Sequence, residues 1–285
     1  MRFKTAIFSL LILICPCALC YGQLSFSGVN GERGYSAMRG VFKWDLDNGF
    51  FLAPSYEYYR RSDEKNVDKT GTSHRYGLRG AYELNDEWKL LAGGFWQPTA
   101  VGYKSWRYEG GFAWQPFYRW GILTNPEWTL LAGQGYSTSY VNVRGERLSA
   151  PFKEVETNLK TQLAVDVSSW NVQASWQKVL KYSSEPQQDI SFGWADIPFM
   201  TAVVQGFLRE AAAVRVSYVT RFITPYVSWV RYQYAQASNP AAAVNAGVHI
   251  RWGETTLSGG VEVFEPRREV NRKTFFSMSV EIEFD

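Results

Sequence analysis

Few side chains in this sequence are suited to covalent or acid–base chemistry. There are two histidines, His74 and His249. Neither has a second histidine or a cysteine at metal-ligand spacing, so no transition-metal site is expected. A serine hydrolase needs a nucleophile beside a histidine and a third group that orients the ring. Ser258 would lie on the strand next to His249, and Ser73 immediately precedes His74. Both histidines are read first as polar lumen or loop residues. The acidic run around Asp63, Glu64 and Asp68 lacks the spacing of a calcium loop, and there is no glycine-rich phosphate loop. The expectation is a protein that is not an enzyme and carries no cofactor.

What remains is charge placed by a strict period. Arg75, Arg79, Arg107, Arg119, Arg215, Arg221, Arg231 and Arg251, with His249 among them, stand in short alternating runs. So do Glu154, Glu156, Lys160 and Asp166. In "YGLRGAYEL", Tyr76, Leu78, Tyr82 and Leu84 oppose Arg75, Arg79 and Glu83. In "VETNLKTQLAVDV", Val155, Leu159, Leu163, Val165 and Val167 oppose Glu156, Lys160 and Asp166. Successive side chains of a strand point to opposite faces, so each run is a strand with one apolar and one ionic face. The sector from Arg215 to Arg251 reads as basic, and that from Glu154 to Asp166 as mostly acidic. Opposed charge rows across water would orient polar solutes, whereas paired charges would only brace the wall.

The elements that must carry these charges extend from Leu24 to Phe284. Sixteen strands are assigned on this pattern, and losing one adjacent pair leaves fourteen. The weakest are the first, 24–30, bounded only by "NGERG", and Phe199–Leu208, whose "FMTAVVQGFL" also reads as a helix. Tight connections such as "DNG", "NDE", "VSS" and "GET" alternate with long polar ones such as "SDEKNVDKTGTS" and "EPRREVNR". Pro54 and Pro116 fall inside strands, where bulges are expected because each removes a ladder donor.

Residues 1–22 have Arg2 and Lys4, an apolar run from Ala6 to Ile14 and then small residues, the order of a secretory signal peptide. All three cysteines lie there, so residues 23–285 contain none and no disulfide is expected. The net charge of +3 implies no nucleic-acid partner. A mean hydropathy of −0.26 with no second long apolar run excludes helical membrane spans. Aromatic residues make up 16% of the chain, with 12 Trp and 17 Tyr, which suits membrane-interface girdles or sugar-binding surfaces. Trp88, Trp128 and Trp170 sit beside tight turns, and Trp96, Tyr140 and Tyr182 at the opposite strand ends, as two girdles would require. An Arg or Lys facing lipid at mid-bilayer would cost about 2–4 kcal/mol, so the ionic faces are expected inward. A soluble sandwich would reverse that orientation.

The closing segment "KTFFSMSVEIEFD" alternates and ends in an aromatic, Phe284, followed by Asp285. It resembles the C-terminal strand of bacterial outer-membrane β-barrel proteins, and the short and long connections resemble that class along residues 23–285. The resemblance implies an all-β fold: a closed antiparallel up-and-down transmembrane barrel of about 14–16 strands in the cell outer membrane. It also implies contact with outer-membrane lipid and recognition by the barrel assembly machinery through the strand ending at Phe284. A cylinder of that size holds water unless plugged, and no plug domain is visible in the sequence. The Asp placed two residues before a His in proteases of that membrane is missing. The expected function is porin-like passive diffusion of small polar solutes, with a slight bias towards anions or sugars. The alternatives are a non-conducting accessory barrel in envelope assembly or polysaccharide export, and a lipid or ester hydrolase using His249 or His74.

Overall fold

The computed structural model describes residues 21–31, 35–46, 49–61, 71–100, 103–114, 124–143, 146–147, 152–182, 194–195, 197–201, 204–205, 208–235, 240–265 and 272–284. Its strands are β1 (Gly22–Gly31), β2 (Ser36–Asp45), β3 (Phe50–Arg61), β4 (Gly71–Glu83), β5 (Trp88–Ala100) and β6 (Tyr103–Trp114). Then come β7 (Thr124–Val143), β8 (Glu146–Arg147), β9 (Phe152–Val167), β10 (Trp170–Tyr182), β11 (Trp194–Ala195) and β12 (Val204–Gln205). The last five are β13 (Leu208–Tyr218), β14 (Ile223–Tyr234), β15 (Ala241–Trp252), β16 (Thr255–Glu265) and β17 (Lys273–Phe284). Among the described residues there is no helix.

All strands except β11 and β12 belong to one 15-stranded antiparallel sheet, in which β8 is a two-residue appendage of β7. Leaving aside the two-residue strands β8, β11 and β12, strands adjacent in sequence are adjacent in space. β1 pairs with β2 on one edge and with β17 on the other, in register from Gly22↔Phe284 to Gly31↔Phe275. β6 pairs with both β5 and β7, and β7 with β9. Among the described residues, each strand of ten or more residues therefore has a hydrogen-bonded neighbour on both edges.

Tight turns gather at the end of the sheet where β1 starts and β17 finishes. Leu46 N–H donates to the Phe50 carbonyl at 2.9 Å around Gly49, whose φ of +74° suits glycine. Asn85 Oδ1 accepts from the N–H groups of Glu87 and Trp88 at 3.0 and 2.9 Å, a side-chain-closed turn. We call this the turn end and the opposite one the loop end.

Two expectations are corrected. Among the described residues, 194–195, 197–201 and 204–205 are not part of the wall where strands 188–196 and 199–208 are expected (196, 202–203 and 206–207 lie outside the described residues). Leu208 opens β13, and β10 pairs directly with β13, from Trp170↔Tyr218 to Lys178↔Glu210. β11 and β12 make a separate two-stranded piece, with residues 197–201 between them (188–193 lie outside the described residues). The cause is composition: "FMTAVV" runs its apolar residues together, so it has no polar face to oppose an apolar one. Pro54 makes no bulge. The β2–β3 ladder lacks partners for Ala53 and Pro54 and resumes unshifted at Trp44↔Leu52, while pairing with β4 continues through Pro54↔Leu78. A missing N–H accounts for the gap. Pro116 lies outside the described residues.

The two faces of the sheet have inverted burial. On the ionic face Glu262 is 0% exposed, Glu57 3% and Arg75 6%. On the apolar face Phe112 is 41% exposed, Met278 76% and Trp252 85%. The ionic face is the inner one. Aromatic rows mark both ends of the outer face: Trp88 stacks on Trp114 at 5.9 Å towards the turns, and Trp96 stacks on Trp106 at 5.5 Å towards the loops. The side chains of Trp128 and Tyr140 lie outside the described ones.

Glycine lets one inner ring lie flat on the wall. A Cβ at Gly247 would stand 2.5 Å from the Tyr226 hydroxyl oxygen and 2.7 Å from Cζ, and would also strike the Gly259 carbonyl. Tyr226 in turn stacks on His249 at 4.5 Å between centroids. Gly247→Ala should therefore destabilise the folded protein by about 1–3 kcal/mol. The check is the urea midpoint of the detergent-folded protein, which should fall; an unchanged midpoint would show that the ring relaxes freely.

Candidate functional site

The inner face divides into an ionic arc and an apolar arc. The ionic arc spans β2 to β6. Arg75 Nε and Nη2 donate to Glu57 at 2.7 and 2.8 Å, a buried two-pronged pair. Arg39 Nε lies 3.3 Å from the same carboxylate. Glu109 is likewise shared, 3.0 Å from Arg79 Nε and 3.5 Å from Arg107 Nε. The Phe95 ring lies between the guanidiniums of Arg75 and Arg79, each 4.8 Å from its centroid. It can do so because Gly77, beneath it, has no side chain: a Cβ there would be 2.8 Å from the ring. Strand alternation puts Arg39, Arg75, Arg79 and Arg107 on one face, and cross-strand register makes them neighbours (Arg39↔Glu57↔Arg75, Arg79↔Gly93↔Glu109).

Towards the turn end, the space beside this arc is a cavity of about 430 Å³, lined by Ser25, Ser27, Arg39, Lys43, Ser55, Arg79 and Glu281 among others. Small serines on β1, β3 and β17 leave the room, and the longer cations project into it. Lys43 Nζ donates to Gln23 Oε1 at 2.5 Å, and Gln23 Nε2 donates to Glu281 Oε1 at 2.6 Å. This relay fixes the carboxylate at the rim and leaves Lys43 with an amide, not an acid, as its partner.

The apolar arc lies towards the loop end of β13 to β17 and reaches round to β3. Rings follow one another across it: Tyr59 and Phe275 each meet Tyr35 edge-on at 5.3 and 4.8 Å, Phe264 lies 6.3 Å from Phe275, and Tyr232 stacks on Phe264 at 6.1 Å. Ala211, Ala213, Ala241 and Ala243 are buried beside them, together with Ile197 from the segment between β11 and β12. That segment is pinned to the inner wall. Thr201 N–H and Oγ1 donate to Glu262 Oε2 at 2.7 and 3.0 Å, and the Arg215 guanidinium sits 4.4 Å over the Phe199 ring and 4.6 Å from Tyr226. Arg215, Ser228, Asn245 and Glu262 are consecutive register partners on four strands. Buried here without hydrogen-bond partners among the described residues are Arg215 Nε, Ser228 Oγ and both side-chain polar atoms of Asn245.

The residues singled out from sequence are placed as follows. Arg75, Arg79, Arg107, Lys160, Asp166, Arg215, His249 and Arg251 share the inner face by strand alternation. Asp166 Oδ1 accepts from Asn171 Nδ2 at 2.7 Å. Arg251, at the turn end, is 3.6 Å from Glu283. Arg221 is corrected to the turn between β13 and β14, where its guanidinium lies 5.0 Å from the Phe222 ring. Arg231 is corrected to the outer face, because its neighbours Val230 and Tyr232 are both buried inside at 1% exposure. The basic sector is therefore not the arc from Arg215 to Arg251 but the arc from β2 to β6. Glu154 and Glu156 lie in β9 opposite Ser137 and Gly135; their side chains, and the whole of Arg119, are outside the described residues.

His249 Nδ1 and Ser258 Oγ are 2.6 Å apart on paired strands. Among the described residues no carboxylate touches the ring, and the flat contact with Tyr226 covers one side of it. His74 is on the outer face, its Nδ1 2.8 Å from the Tyr56 hydroxyl, within the loop-end row of rings. The aromatic belt was not anticipated, although adjacent rings in sequence signal it. Where Tyr58–Tyr59 or Phe275–Phe276 occupy a strand, one of each pair must point inward.

No family model matches the chain, and no curated protein matches it in sequence. Solved structures do. CdiB from Acinetobacter baumannii superposes with a TM-score of 0.57 at 9% identity, over 93% of this chain and 60% of that one. This chain thus spans about three fifths of the CdiB chain. A Pseudomonas aeruginosa FadL homologue superposes with a TM-score of 0.52 at 11% identity, over 93% and 90% of the two chains. The CymD monoaromatic hydrocarbon channel gives 0.51 at 10% identity, over 93% and 88%. At such identities the likeness is one of architecture, and the architecture is that of outer-membrane β-barrel proteins.

Proposed function

We propose that the long strands close into a fourteen-stranded cylinder spanning the outer membrane, with the turn end periplasmic, and that its lumen passes small polar solutes with a preference for anions. The observation that carries this reading is the cavity beside Arg39, Lys43 and Arg79. On the described inner face of β2 to β6, Arg39, Lys43, Arg75, Arg79, Lys89 and Arg107 outnumber Asp45, Glu57, Glu83 and Glu109. A surplus of fixed cations in a narrow wet space raises the local concentration of anions. The membrane reading is supported by the inverted burial, since apolar side chains outside and paired ions inside suit acyl chains and not water. On this reading the cross-strand contact between His249 and Ser258 is a wall contact, not a catalytic dyad.

A second reading has its own observation. Residues 197–201 lie against the inner wall and are held there by Glu262 and Arg215. Such a segment narrows the passage, and a sealed barrel would serve as an accessory to envelope assembly or export rather than as a channel.

Two measurements separate these readings. In planar bilayers under a KCl gradient, the folded protein should give small steps with an anion-selective reversal potential. Arg39→Glu with Lys43→Glu should shift the chloride preference several-fold towards potassium. Folded protein that inserts silently, or that prefers cations, would sink the channel reading. Phe199→Ala with Thr201→Ala should raise the unit conductance at least twofold. An unchanged step size would place residues 197–201 outside the conduction path.

A further inference from the structure

A few cations depart from the inverted burial of the wall, Arg231 and Lys178 among them. Arg231 is exposed on the outer face beside Val227 and Trp229, and among the described residues it has no charged or hydrogen-bonding partner. Its register partners are Ala212 and Ala242, so the guanidinium stands between two small side chains. Trp176 lies across from Ala212, and two residues nearer the loops Lys178 faces Glu210. Lys178 also points outward, opposite Leu159, and Glu210 Oε1 already accepts from Trp176 Nε1 at 2.8 Å. Two cations and two indoles, with the Glu210 carboxylate among them, thus stand around the small side chain of Ala212 on the outer face.

Height decides what these cations meet. Arg231 is about 26 Å along β14 from Ile223, or about 20 Å along the membrane normal at a tilt near 40°. The apolar band of such barrels is about 25 Å tall, so the guanidinium sits close to its loop-side edge and can reach headgroups while its stem stays in acyl chains. An unpaired guanidinium facing lipid is unfavourable in the middle of the band and much less so at this edge. A planar guanidinium binds phosphate through two parallel hydrogen bonds, an ammonium adds charge without directional demand, and indoles occupy the interface. On the turn side of this group Val214, Val227 and Val244 are exposed, a surface suited to acyl chains and not to water.

We propose that Arg231 and Lys178, flanked by Trp176 and Trp229, bind the phosphate of a phosphorylated glycolipid in the outer leaflet. The site rests on the reading of the chain as an outer-membrane barrel with its loops outside. The test uses the full folded protein in detergent, titrated by native mass spectrometry with bis-phosphorylated lipid A, phosphatidylcholine and inorganic phosphate. Lipid A should bind at least tenfold more tightly than phosphatidylcholine. Arg231→Gln with Lys178→Gln should lose at least tenfold, and Arg231→Lys alone should lose less. Heat-modified gel mobility should stay the same in every variant, so that loss of binding is not loss of fold. The site is overturned by equal binding of lipid A to wild type and double variant, by equal affinity for phosphatidylcholine, or by inorganic phosphate binding as tightly as the lipid. It is also overturned if the two substitutions dissociate a protein complex instead, since the partner would then be a protein carboxylate. A chain that never partitions into the outer-membrane fraction would sink the barrel reading instead. A membrane-resident barrel indifferent to both substitutions would sink only this site.

Discussion

A backbone sheathed in apolar side chains has little water with which to satisfy its N–H and C=O groups, and the rest of this structure follows from meeting that demand within the chain. The pairing of β1 with β17 and of β6 with both neighbours leaves none of the long described strands with a bare edge. Even Pro54, which cannot donate, costs only a local gap in one ladder while the other continues. Once the ladder is complete, side chains are free to sort by medium, and they sort in the opposite sense from a water-soluble sheet. Phe112, Met278 and Trp252 stand outside, and Glu57, Arg75 and Glu262 are shut away.

Burial of ions makes their pairing obligatory. Taking Glu57 and Arg75 out of water is tolerable because two parallel hydrogen bonds hold them and Phe95 covers the guanidinium. Removing one partner of such a pair typically costs about 3–5 kcal/mol, most of it the penalty of the charge left behind. Sharing each of Glu57 and Glu109 between two guanidiniums leaves cationic capacity facing the cavity. On the proposed channel reading, structural bracing and solute preference come from the same residues: the ion pairs hold the wall, and their imbalance sets the field.

The other half of the interior is built on different chemistry. A belt of rings from Tyr59 to Tyr232, with alanines beside it, receives residues 197–201, and a fully buried carboxylate, Glu262, fastens them. The fastening is not saturated. Asn245 lies directly opposite Glu262 in register, yet among the described residues its amide has no hydrogen-bond partner. A buried polar group left unmatched costs roughly 1–3 kcal/mol, so the polar row beneath the segment is less tightly bound than its burial suggests.

Much of this was legible in the residues themselves. A period of two, sustained from Leu24 to Phe284, dictates strands, because alternate side chains must face alternate media. It also assigns Arg75, Arg79, Arg107, Lys160, Asp166, Arg215, His249 and Arg251 to a common face wherever the opposite face is plainly apolar. Where both faces are apolar the period loses its sign. In β14, Val227 and Trp229 on one side balance Val230 and Tyr232 on the other, and only register with β13 and β15 turns Arg231 outward. Nor can periodicity place a stretch that does not alternate. Residues 197–201 find their position through Glu262, 61 residues from Thr201, and a contact at that separation exists only after the intervening strands have paired. Local alternation determined which segments are strands and which faces are ionic; long-range register decided which cations meet and what lies inside the wall, because those depend on neighbours that sequence distance does not reveal.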